Sequence, residues 1–490
     1  MTATSNPPAH RGLRDFGVAL LVLGGGLISG CTDPTPRPDF SGSIDRIFLV
    51  TVDTLRADHL GCYGYPFATS PFLDGLAARG IVFDNAHAPM ATTAPSHASL
   101  FTGLYPIQHR VLKNGHKLPQ AAFTLAEFFH DSGFQTAAVV STDQHFLAGE
   151  LDQGFSTFRE PRAKAKKSYR RAKRTIDDAI KVLEEIRSDQ PLFFWLHLFD
   201  PHVPYRTKAH RTSKGPPDGA QRSLGEFLVQ DHHADLATFG GSERSLLKLV
   251  RKYDREIRYT DRSLKRFFAA VDDQGLGDKA LWIVASDHGE GLGGHSSLGH
   301  GVNLYYELIR VPLIFFSTAE AIQGGRRIGD LVELVDVFPT LIDLFGGDLA
   351  QFQETPGTSL VPVLLDEPLP KARDNRVAFA QRRLFATGSD LHKRQASHGL
   401  PPELIEGQLY SVHDPTFKYH YWDTGHRELY STEDDPYEVH DLSAVLPKET
   451  RRMHRELTEK LRQFEEYSKI DPQPVDPETI KDLEALGYIQ

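Results

Sequence analysis

Two short stretches of the sequence combine residue types that can bind a metal ion and activate a hydroxyl group. The stretch SDHGE places Asp287 beside His288, and a carboxylate next to an imidazole suits a divalent metal ion. The stretch TTAPSHASLFTG, residues 92–103, brings two threonines, a serine and a histidine to the start of a helical pattern. Pro95 is predicted to be the first residue of that helix. These polar groups either cap the helix or take part in catalysis.

Other polar side chains follow apolar runs that are typical of buried strands. Asp53 ends the run IFLVTV, His202 follows PLFFWLHLFD, and His300 lies in the glycine-rich GLGGHSSLGHG. A single aspartate after a strand often only caps a helix. Ligands of parallel α/β sheets, however, bind beyond the carboxyl ends of the strands. Together with Asp287 and His288, these residues therefore indicate one binding site.

Strand-like and helical segments alternate through the first two thirds of the chain. Continuous apolar runs such as ALWIVAS predict strands that are buried on both faces. Residues 245–268 instead have apolar positions at helical spacing. This alternation predicts an α/β fold with a doubly wound, mainly parallel sheet flanked by helices, which we place at residues 44–345.

A smaller α+β subdomain is predicted for residues 346–490, after the pair Gly346-Gly347. Its segment QLYSVHDPTFKYHYWDTGHRELY alternates and turns like an antiparallel hairpin. A charged helical pattern, KETRRMHRELTEKLRQFEEYSK, follows it.

The charge of the 490-residue chain gives no reason to expect nucleic acid as a partner. The net charge is −10, and one basic run, residues 162–174, leads into an amphipathic helical pattern. This run is either a solvated helix face or a surface-binding patch.

The N-terminus resembles a bacterial lipoprotein signal. Basic residues precede a short apolar stretch that ends in ISGC, residues 28–31, which is similar to the lipobox. The resemblance implies that residues 1–30 are a signal peptide, that Cys31 is lipidated, and that residues 31–43 form a proline-rich tether. We therefore expect export and lipid anchoring in the bacterial cell envelope. The alternative is a signal-anchor helix.

Several motifs in order resemble the sulfatase family of the alkaline-phosphatase-like superfamily. They are VTVDTLRADHLGCYGY, TAPSHASLFTGLYP, HLFDPHVPY, SDHGEGLGGHSSLGHG and the C-terminal ELYSTEDDPYE. The resemblance spans roughly residues 44 to 490 and implies an alkaline-phosphatase-like fold and a metal-dependent ester hydrolase.

The resemblance places Thr93 at the nucleophile position of that family. Pro95 and Ser96 match the family pattern, whereas His97 stands where arginine is usual. Most sulfatases convert a cysteine or serine at this position to formylglycine, and threonine is not a substrate for that conversion. We therefore expect no formylglycine. A threonine here is instead similar to the phosphoethanolamine and glycerophosphate transferases of the same superfamily.

The resemblance also implies one divalent metal ion. Its ligands would be Asp53, Asp287, His288 and the Thr93 oxygen. Thr54 stands where many sulfatases have a second aspartate, so it offers only a neutral oxygen. Fewer carboxylates and an imidazole favour zinc, manganese or magnesium over calcium.

Four further residues are expected around the substrate. By the resemblance, His202 contacts the sulfate or phosphate, and His300 lies near the position that aids the leaving group. Asn114 is expected to line the same pocket. His97 either holds the substrate anion, orients Thr93, or only packs against the helix.

The expected activity is hydrolysis of sulfate esters or related phosphate esters of small molecules or glycans. A threonine ester lacks the elimination route that is open to hydrated formylglycine, so phosphodiester or phosphomonoester hydrolysis and phosphoryl transfer stay open. A catalytically degenerate surface protein that only binds a metal or an anion is the further alternative.

Overall fold

The protein is described here by a computed structural model of residues 42–143, 149–161, 169–205, 234–352, 355–369, 376–382 and 402–468, with a few single positions between these ranges. The predicted signal peptide, Cys31 and nearly all of the predicted tether lie outside the described residues. The predicted domain bounds at residues 44, 345 and 346 stay predictions.

Runs of apolar, often β-branched residues form the central sheet, because strands buried on both faces need no polar alternation. Within the described residues this sheet has eight strands: β1 (Arg46–Val52), β2 (Ile81–His87), β3 (Gln135–Val140), β4 (Thr157–Arg159), β5 (Leu192–Leu198), β6 (Ala280–Ala285), β9 (Arg310–Ser317) and β10 (Arg326–Glu333). Their order across the sheet is β10-β2-β9-β6-β1-β5-β3-β4. A short ribbon of β7 (Gly291–Leu292) and β8 (Leu298–Gly299) lies outside it.

The sheet is mainly parallel, as predicted. Strand β9 runs antiparallel to both of its neighbours, β2 and β6, and the other pairs are parallel. Strands β6, β1 and β5 are adjacent and parallel, so their carboxyl ends meet at one edge.

Helices cover both faces of this sheet, which confirms the doubly wound arrangement. The helices are α1 (Pro71–Ala77), α2 (Thr93–Thr102), α3 (Pro106–His109), α4 (Leu125–Asp131), α5 (Ala172–Glu185), α6 (Glu243–Asp273), α7 (Tyr306–Ile309), α8 (Val337–Leu344), α9 (Val361–Leu364), α10 (Pro402–Ile405), α11 (Pro447–Gln463) and α12 (Glu465–Ser468). Alternate residues of β1 enter different cores: Ile47 belongs to the apolar cluster that includes residues of α4 and α8, and Phe48 to the cluster that includes residues of α5 and α6. Among the described residues, no helix has the length and apolar character that crossing a membrane requires.

Helix α2 begins two residues earlier than predicted. Thr92 is its N-cap in an extended conformation, so Thr93 is the first helical residue and Pro95 the third. Proline is accepted at this position because the first four helical N–H groups have no intrahelical partner. Every residue of α2 is buried. The correction places Thr93, and not Pro95, at the N-terminal end of the helix.

The C-terminal segment forms an antiparallel sheet, β11 (Ala378–Gln381), β12 (Leu409–His413), β13 (Phe417–Trp422) and β14 (Arg427–Ser431). The predicted hairpin is thus a three-stranded meander with a fourth strand added at its edge. Helix α11 packs Met453 and Leu457 against the apolar face that carries Val412 and Leu429. A smaller C-terminal α+β unit was predicted and is present.

Candidate active site

The carboxyl ends of β1 and β6 bring three potential metal ligands together. Asp53 directly follows β1, and Asp287 and His288 follow β6. One donor atom from each of these residues lies within 4.8 Å of the other two, and all three side chains are buried. No other such group of three occurs among the described residues. The sequence-predicted cluster is therefore one cluster in space.

The donor atoms of this cluster have the spacing that a single metal ion requires. His288 Nε2 lies 3.5 Å from Asp287 Oδ2 and 3.9 Å from Asp53 Oδ1. Ligand distances of about 2.1 Å around one ion place neighbouring ligand atoms about 3–4 Å apart.

Three buried carboxylate oxygens of this cluster need a cation. Neither Asp53 oxygen nor Asp287 Oδ2 has a hydrogen-bond partner in the described part of the chain. Burial, followed by the nearby carboxylates of Asp287 and Glu290, raises the pKa of Asp53 well above its ordinary value. Unpaired buried carboxylates are costly unless a positive charge compensates them. The residues present therefore fit a divalent metal ion.

His288 connects the cluster to Thr93. Its Nδ1–H donates to the Gly289 carbonyl at 2.8 Å, so the lone pair lies on Nε2. Nε2 is 3.3 Å from Thr93 Oγ1 at the start of α2. The Ser96 hydroxyl donates to the Asp287 carbonyl at 2.6 Å and ties α2 to the end of β6. A Cβ on Gly289 would lie 1.9 Å from the Glu307 carbonyl oxygen, so only glycine fits at this turn.

Thr54 has a strained backbone beside the cluster. Its φ of 56° lies in the left-handed region, which a β-branched residue rarely occupies. Its N–H donates to Asp287 Oδ1 at 3.2 Å, and its carbonyl accepts from Tyr253 at 2.6 Å. Thr54 Oγ1 is buried with no hydrogen-bond partner among the described residues. The strain is thus located at the turn that presents Asp53.

His97 is fully engaged by protein groups beneath Thr93. Its Nδ1–H donates to the Thr93 carbonyl at 2.9 Å, and its Nε2 lies 3.0 Å from the Thr51 hydroxyl. Trp195 Nε1–H donates to the same Thr51 oxygen. Burial lowers the pKa of His97. Of the three predicted roles for His97, this arrangement favours orientation of Thr93.

Asn114 lies beside the first turn of α2. Its Oδ1 accepts from the Ala94 N–H at 2.9 Å. Its Nδ2 is buried and has no hydrogen-bond partner in the residues described. It can therefore donate to a group bound near Thr93.

His202 and His300 lie on the same side as His288. The ring of His300 is 4.6 Å from that of His288 and 5.0 Å from that of His202, measured between centroids. Burial, and then His300, lower the pKa of His202 to about 3. His300 Nδ1 is 3.0 Å from Glu290 Oε1, and burial raises the pKa of Glu290 to about 7. A Glu–His pair can exchange a proton with a bound ester near neutral pH.

Sequence reasoning missed three polar groups at this sheet edge. Glu290 stands in SDHGE, two residues after His288, and was not assigned a role. His197 lies inside β5 and reads as part of a buried strand. Thr142 follows β3 and has a buried hydroxyl without a partner in the described residues. Only Thr142 has a strand-end position that could have indicated it.

His295 connects the loop that carries His300 to Glu307 and Glu438. Its Nδ1 is 2.9 Å from Glu307 Oε1, and its Nε2 is 2.9 Å from the Glu438 carbonyl oxygen. Both nitrogens face acceptors, so the ring is an imidazolium. Burial alone lowers its pKa, but Glu307 outweighs burial and the pKa of His295 rises to about 9.

We expect the stability of the protein to fall as pH rises through about 9. The ordinary pKa of histidine is about 6.5, so the folded chain holds a proton between about pH 6.5 and 9 that the unfolded chain releases. This contribution is complete below about pH 6.5 and amounts to at most about 3 kcal/mol. In urea unfolding at several pH values, the free energy of unfolding should decrease less with rising pH for His295→Gln than for the native chain.

The control for this experiment is His440→Gln, because the His440 side chain is 78 % exposed whereas that of His295 is 16 % exposed. It should keep the native pH dependence. Parallel pH curves for the native chain and His295→Gln would show that the pair with Glu307 does not stabilise the fold.

The comparisons with known proteins agree with this geometry. The sequence profile of the family described as Sulfatase matches residues 45–347. The chain is 25 % identical over 479 residues to the multifunctional alkaline phosphatase superfamily protein PehA of Trinickia caryophylli, covering 81 % of this chain and 91 % of that protein. It is 23 % identical to a delta 4,5-hexuronate-2-O-sulfatase of Bacteroides thetaiotaomicron, covering 86 % and 88 % of the two chains.

Solved structures share the fold. The phosphonate monoester hydrolase of Agrobacterium radiobacter superposes with a TM-score of 0.67 at 22 % identity, covering 86 % of this chain and 96 % of that chain. At this identity the likeness concerns the fold alone.

Proposed function

This chain belongs to the sulfatase family of ester hydrolases, and we propose that it cleaves monoanionic esters with Thr93 as the nucleophile. The substrates are sulfate monoesters or phosphate and phosphonate esters with one negative charge. The observation that carries this proposal is the 3.3 Å contact between Thr93 Oγ1 and His288 Nε2, within a cluster of unpartnered buried carboxylate oxygens.

The charge of the site supports a substrate with one negative charge. Two carboxylates, Asp53 and Asp287, balance one divalent ion, and Thr54 adds no charge. Burial keeps His97 and His202 neutral at pH 7. Of the lysine and arginine side chains described, none hydrogen-bonds to the carboxylate of Asp53 or Asp287. An ester with one negative charge therefore matches a site in which two ligand carboxylates already balance one divalent ion.

Asp53, Asp287 and His288 would hold the ion, with Thr93 beside them. A divalent ion at such a site lowers the pKa of a neighbouring hydroxyl and neutralises charge on the transferring group. Zinc, manganese and magnesium suit this donor set better than calcium. The N-terminal end of α2 adds backbone dipoles that favour an anion.

The chain's own residues then divide the reaction into two steps. The Thr93 hydroxyl, whose pKa a bound divalent ion would lower, releases its proton to solvent. Thr93 Oγ then forms a bond to phosphorus or sulfur while the bond to the ester oxygen breaks, and His300 supplies the proton that the leaving group takes. Asn114 Nδ2–H donates to a non-bridging oxygen, and the His202 ring lies beside that of His300 at the same side of the site. Water next attacks the threonine ester, and the Thr93 hydroxyl is regenerated.

The threonine ester favours phosphorus over sulfur. Hydrated formylglycine can release its ester by elimination, whereas a threonine ester must be attacked at the central atom. No formylglycine is expected here, so phosphodiesters and phosphonate monoesters are the preferred substrates of this proposal. Transfer to an acceptor alcohol is the second outcome that this intermediate permits.

We also propose that the enzyme acts outside the cytoplasm, attached to a membrane through lipidated Cys31. This proposal rests on the lipobox-like residues 28–31. Small-molecule or glycan esters of the cell envelope would then be within its reach.

Turnover of four nitrophenyl esters by the metal-stripped and reloaded protein tests the proposal. We expect bis(nitrophenyl) phosphate and nitrophenyl phenylphosphonate to react fastest, nitrophenyl sulfate more slowly, and dianionic nitrophenyl phosphate slowest. Chelation should abolish all activity, and Mn²⁺ or Zn²⁺ should restore it. Failure to bind any divalent ion, together with no turnover of any ester, would instead support the degenerate binding protein.

A further inference from the structure

His197 is a fully buried histidine whose ring has no hydrogen-bond partner among the described residues. It lies in β5, one residue before the strand ends. Buried polar groups in native proteins almost always have a partner, so an unpartnered one requires an explanation. No role in the proposed reaction has been given to this side chain.

The side chain that faces His197 is Asp53, which also lacks partners in the described part of the protein. His197 Nε2 lies 4.0 Å from Asp53 Oδ2. The strands fix this proximity, because β1 and β5 pair with Thr51 opposite His197 and the Asp53 N–H donates to the Leu198 carbonyl at 2.9 Å. A shift of about 1 Å in either side chain would make a hydrogen bond.

The two oxygens of Asp53 face different groups. Oδ1 lies toward His288 Nε2, at 3.9 Å, and Oδ2 lies toward His197. His197 is not a member of the group of donor atoms that lie within 4.8 Å of one another. The imidazole of His197 is thus placed behind the carboxylate and outside the ligand cluster.

His97 cannot supply this contact, although it stands where the family arginine is usual. Both of its nitrogens are used, one by the Thr93 carbonyl and one by the Thr51 hydroxyl. Its ring instead packs edge to face with that of His197, at 5.1 Å between centroids. His197 is therefore the donor that the fold directs at Asp53.

We propose that His197 is a positioning residue whose Nε2–H donates to Asp53 Oδ2, so that Asp53 presents only Oδ1 to the metal ion. A hydrogen bond of this kind fixes the orientation of a ligand and tunes its basicity. The inference rests on the metal site of the proposed function. It assigns a role to His197, the first residue of the motif HLFDPHVPY, whose later histidine, His202, is the one expected to contact the substrate.

The variants His197→Gln and His197→Asn test the proposal. The glutamine amide nitrogen can take the place of Nε2, whereas the shorter asparagine amide reaches only the place of Nδ1. We expect the glutamine variant to bind Mn²⁺ within about threefold of the native affinity and the asparagine variant to bind about 10–100-fold more weakly. Isothermal titration of the metal-stripped proteins measures both, and the visible spectrum of bound Co²⁺ reports the change in coordination of Asp53.

The matched control is His109→Asn, another buried histidine. His109 Nε2 is 2.9 Å from Ser99 Oγ, and its Nδ1 accepts from the Val111 N–H. This variant should lose stability but keep the native Mn²⁺ affinity. Equal Mn²⁺ affinity in the glutamine and asparagine variants of His197 would overturn the inference alone. A native chain that binds no divalent ion would overturn the proposed function as well.

Discussion

Thr93→Ala should reduce kcat by about 10⁴-fold or more, because it removes the atom that forms the covalent bond to the ester. Thr93 Oγ1 is 3.3 Å from His288 Nε2, and the surrounding residues hold α2 in place from three sides. None of those contacts involves the Thr93 hydroxyl except the one to His288. The variant should therefore fold and bind the metal while losing turnover.

Two further variants distinguish the role of the Thr93 hydroxyl from that of the N-terminal end of α2. Thr92→Ala changes the N-cap, whose side chain makes no cap hydrogen bond, and should keep native turnover. Thr93→Ser keeps a nucleophilic oxygen and should stay within about tenfold of native kcat. Mass analysis of acid-quenched reactions should find the phosphoryl group on the peptide that contains Thr93. Equal activity of Thr93→Ala and the native chain would exclude this nucleophile.

The positions of Asp53, His202, Asp287 and His288 could be predicted because strand ends are visible in the sequence. Runs such as IFLVTV and ALWIVA are continuous and apolar, so the first polar residue after each run marks the edge of the sheet. Parallel strands place these residues on one side. The order β6-β1-β5, which makes them neighbours, depends on long-range pairing and was not predictable.

The roles of His197 and Glu290 were not predictable for a different reason. A histidine inside LFFWLHL reads as one more buried residue of a strand. Its significance depends on the lack of a hydrogen-bond partner among the described residues and on the carboxylate of Asp53, which lies 144 residues earlier in the chain (197 − 53). In the same way, the start of α2 was predicted two residues late, because proline is acceptable at several positions of the first turn.

Asp53→Asn should have opposite effects on the stability of the metal-free protein and on its function. Burial and neighbouring carboxylates raise the pKa of Asp53, so its charged form destabilises the folded chain at neutral pH. The amide removes this charge, and we expect the free energy of unfolding of the metal-free protein to increase by about 1–3 kcal/mol. The same change removes a ligand, so metal affinity should fall about 100-fold and turnover should be lost.

The stability of the metal-free protein should also depend on pH in the direction that a destabilising Asp53 charge requires. A carboxyl whose folded pKa lies above its unfolded pKa binds more protons in the folded state, so its contribution to stability falls as pH rises through that interval. Asp53→Asn should flatten this dependence. Thermal unfolding of both proteins in chelator, at pH 5 and pH 8, measures it.

A second buried aspartate, whose carboxylate has hydrogen-bond partners, provides the control. Asp261 accepts hydrogen bonds from the Phe72 and Leu73 N–H groups at the start of α1, at 2.9–3.1 Å. Burial raises the pKa of Asp261 only to about 6 and the amide oxygen can keep these bonds, so Asp261→Asn should gain less stability than Asp53→Asn. Excess Mn²⁺ should then shift the difference between the Asp53 pair toward the native chain by up to about 2.7 kcal/mol, because that is the value of a hundredfold difference in affinity at saturation. Destabilisation by Asp53→Asn in the absence of metal would mean that Asp53 supports the fold. Stabilisation would mean that the fold retains an unfavourable charge at this position because catalysis requires it.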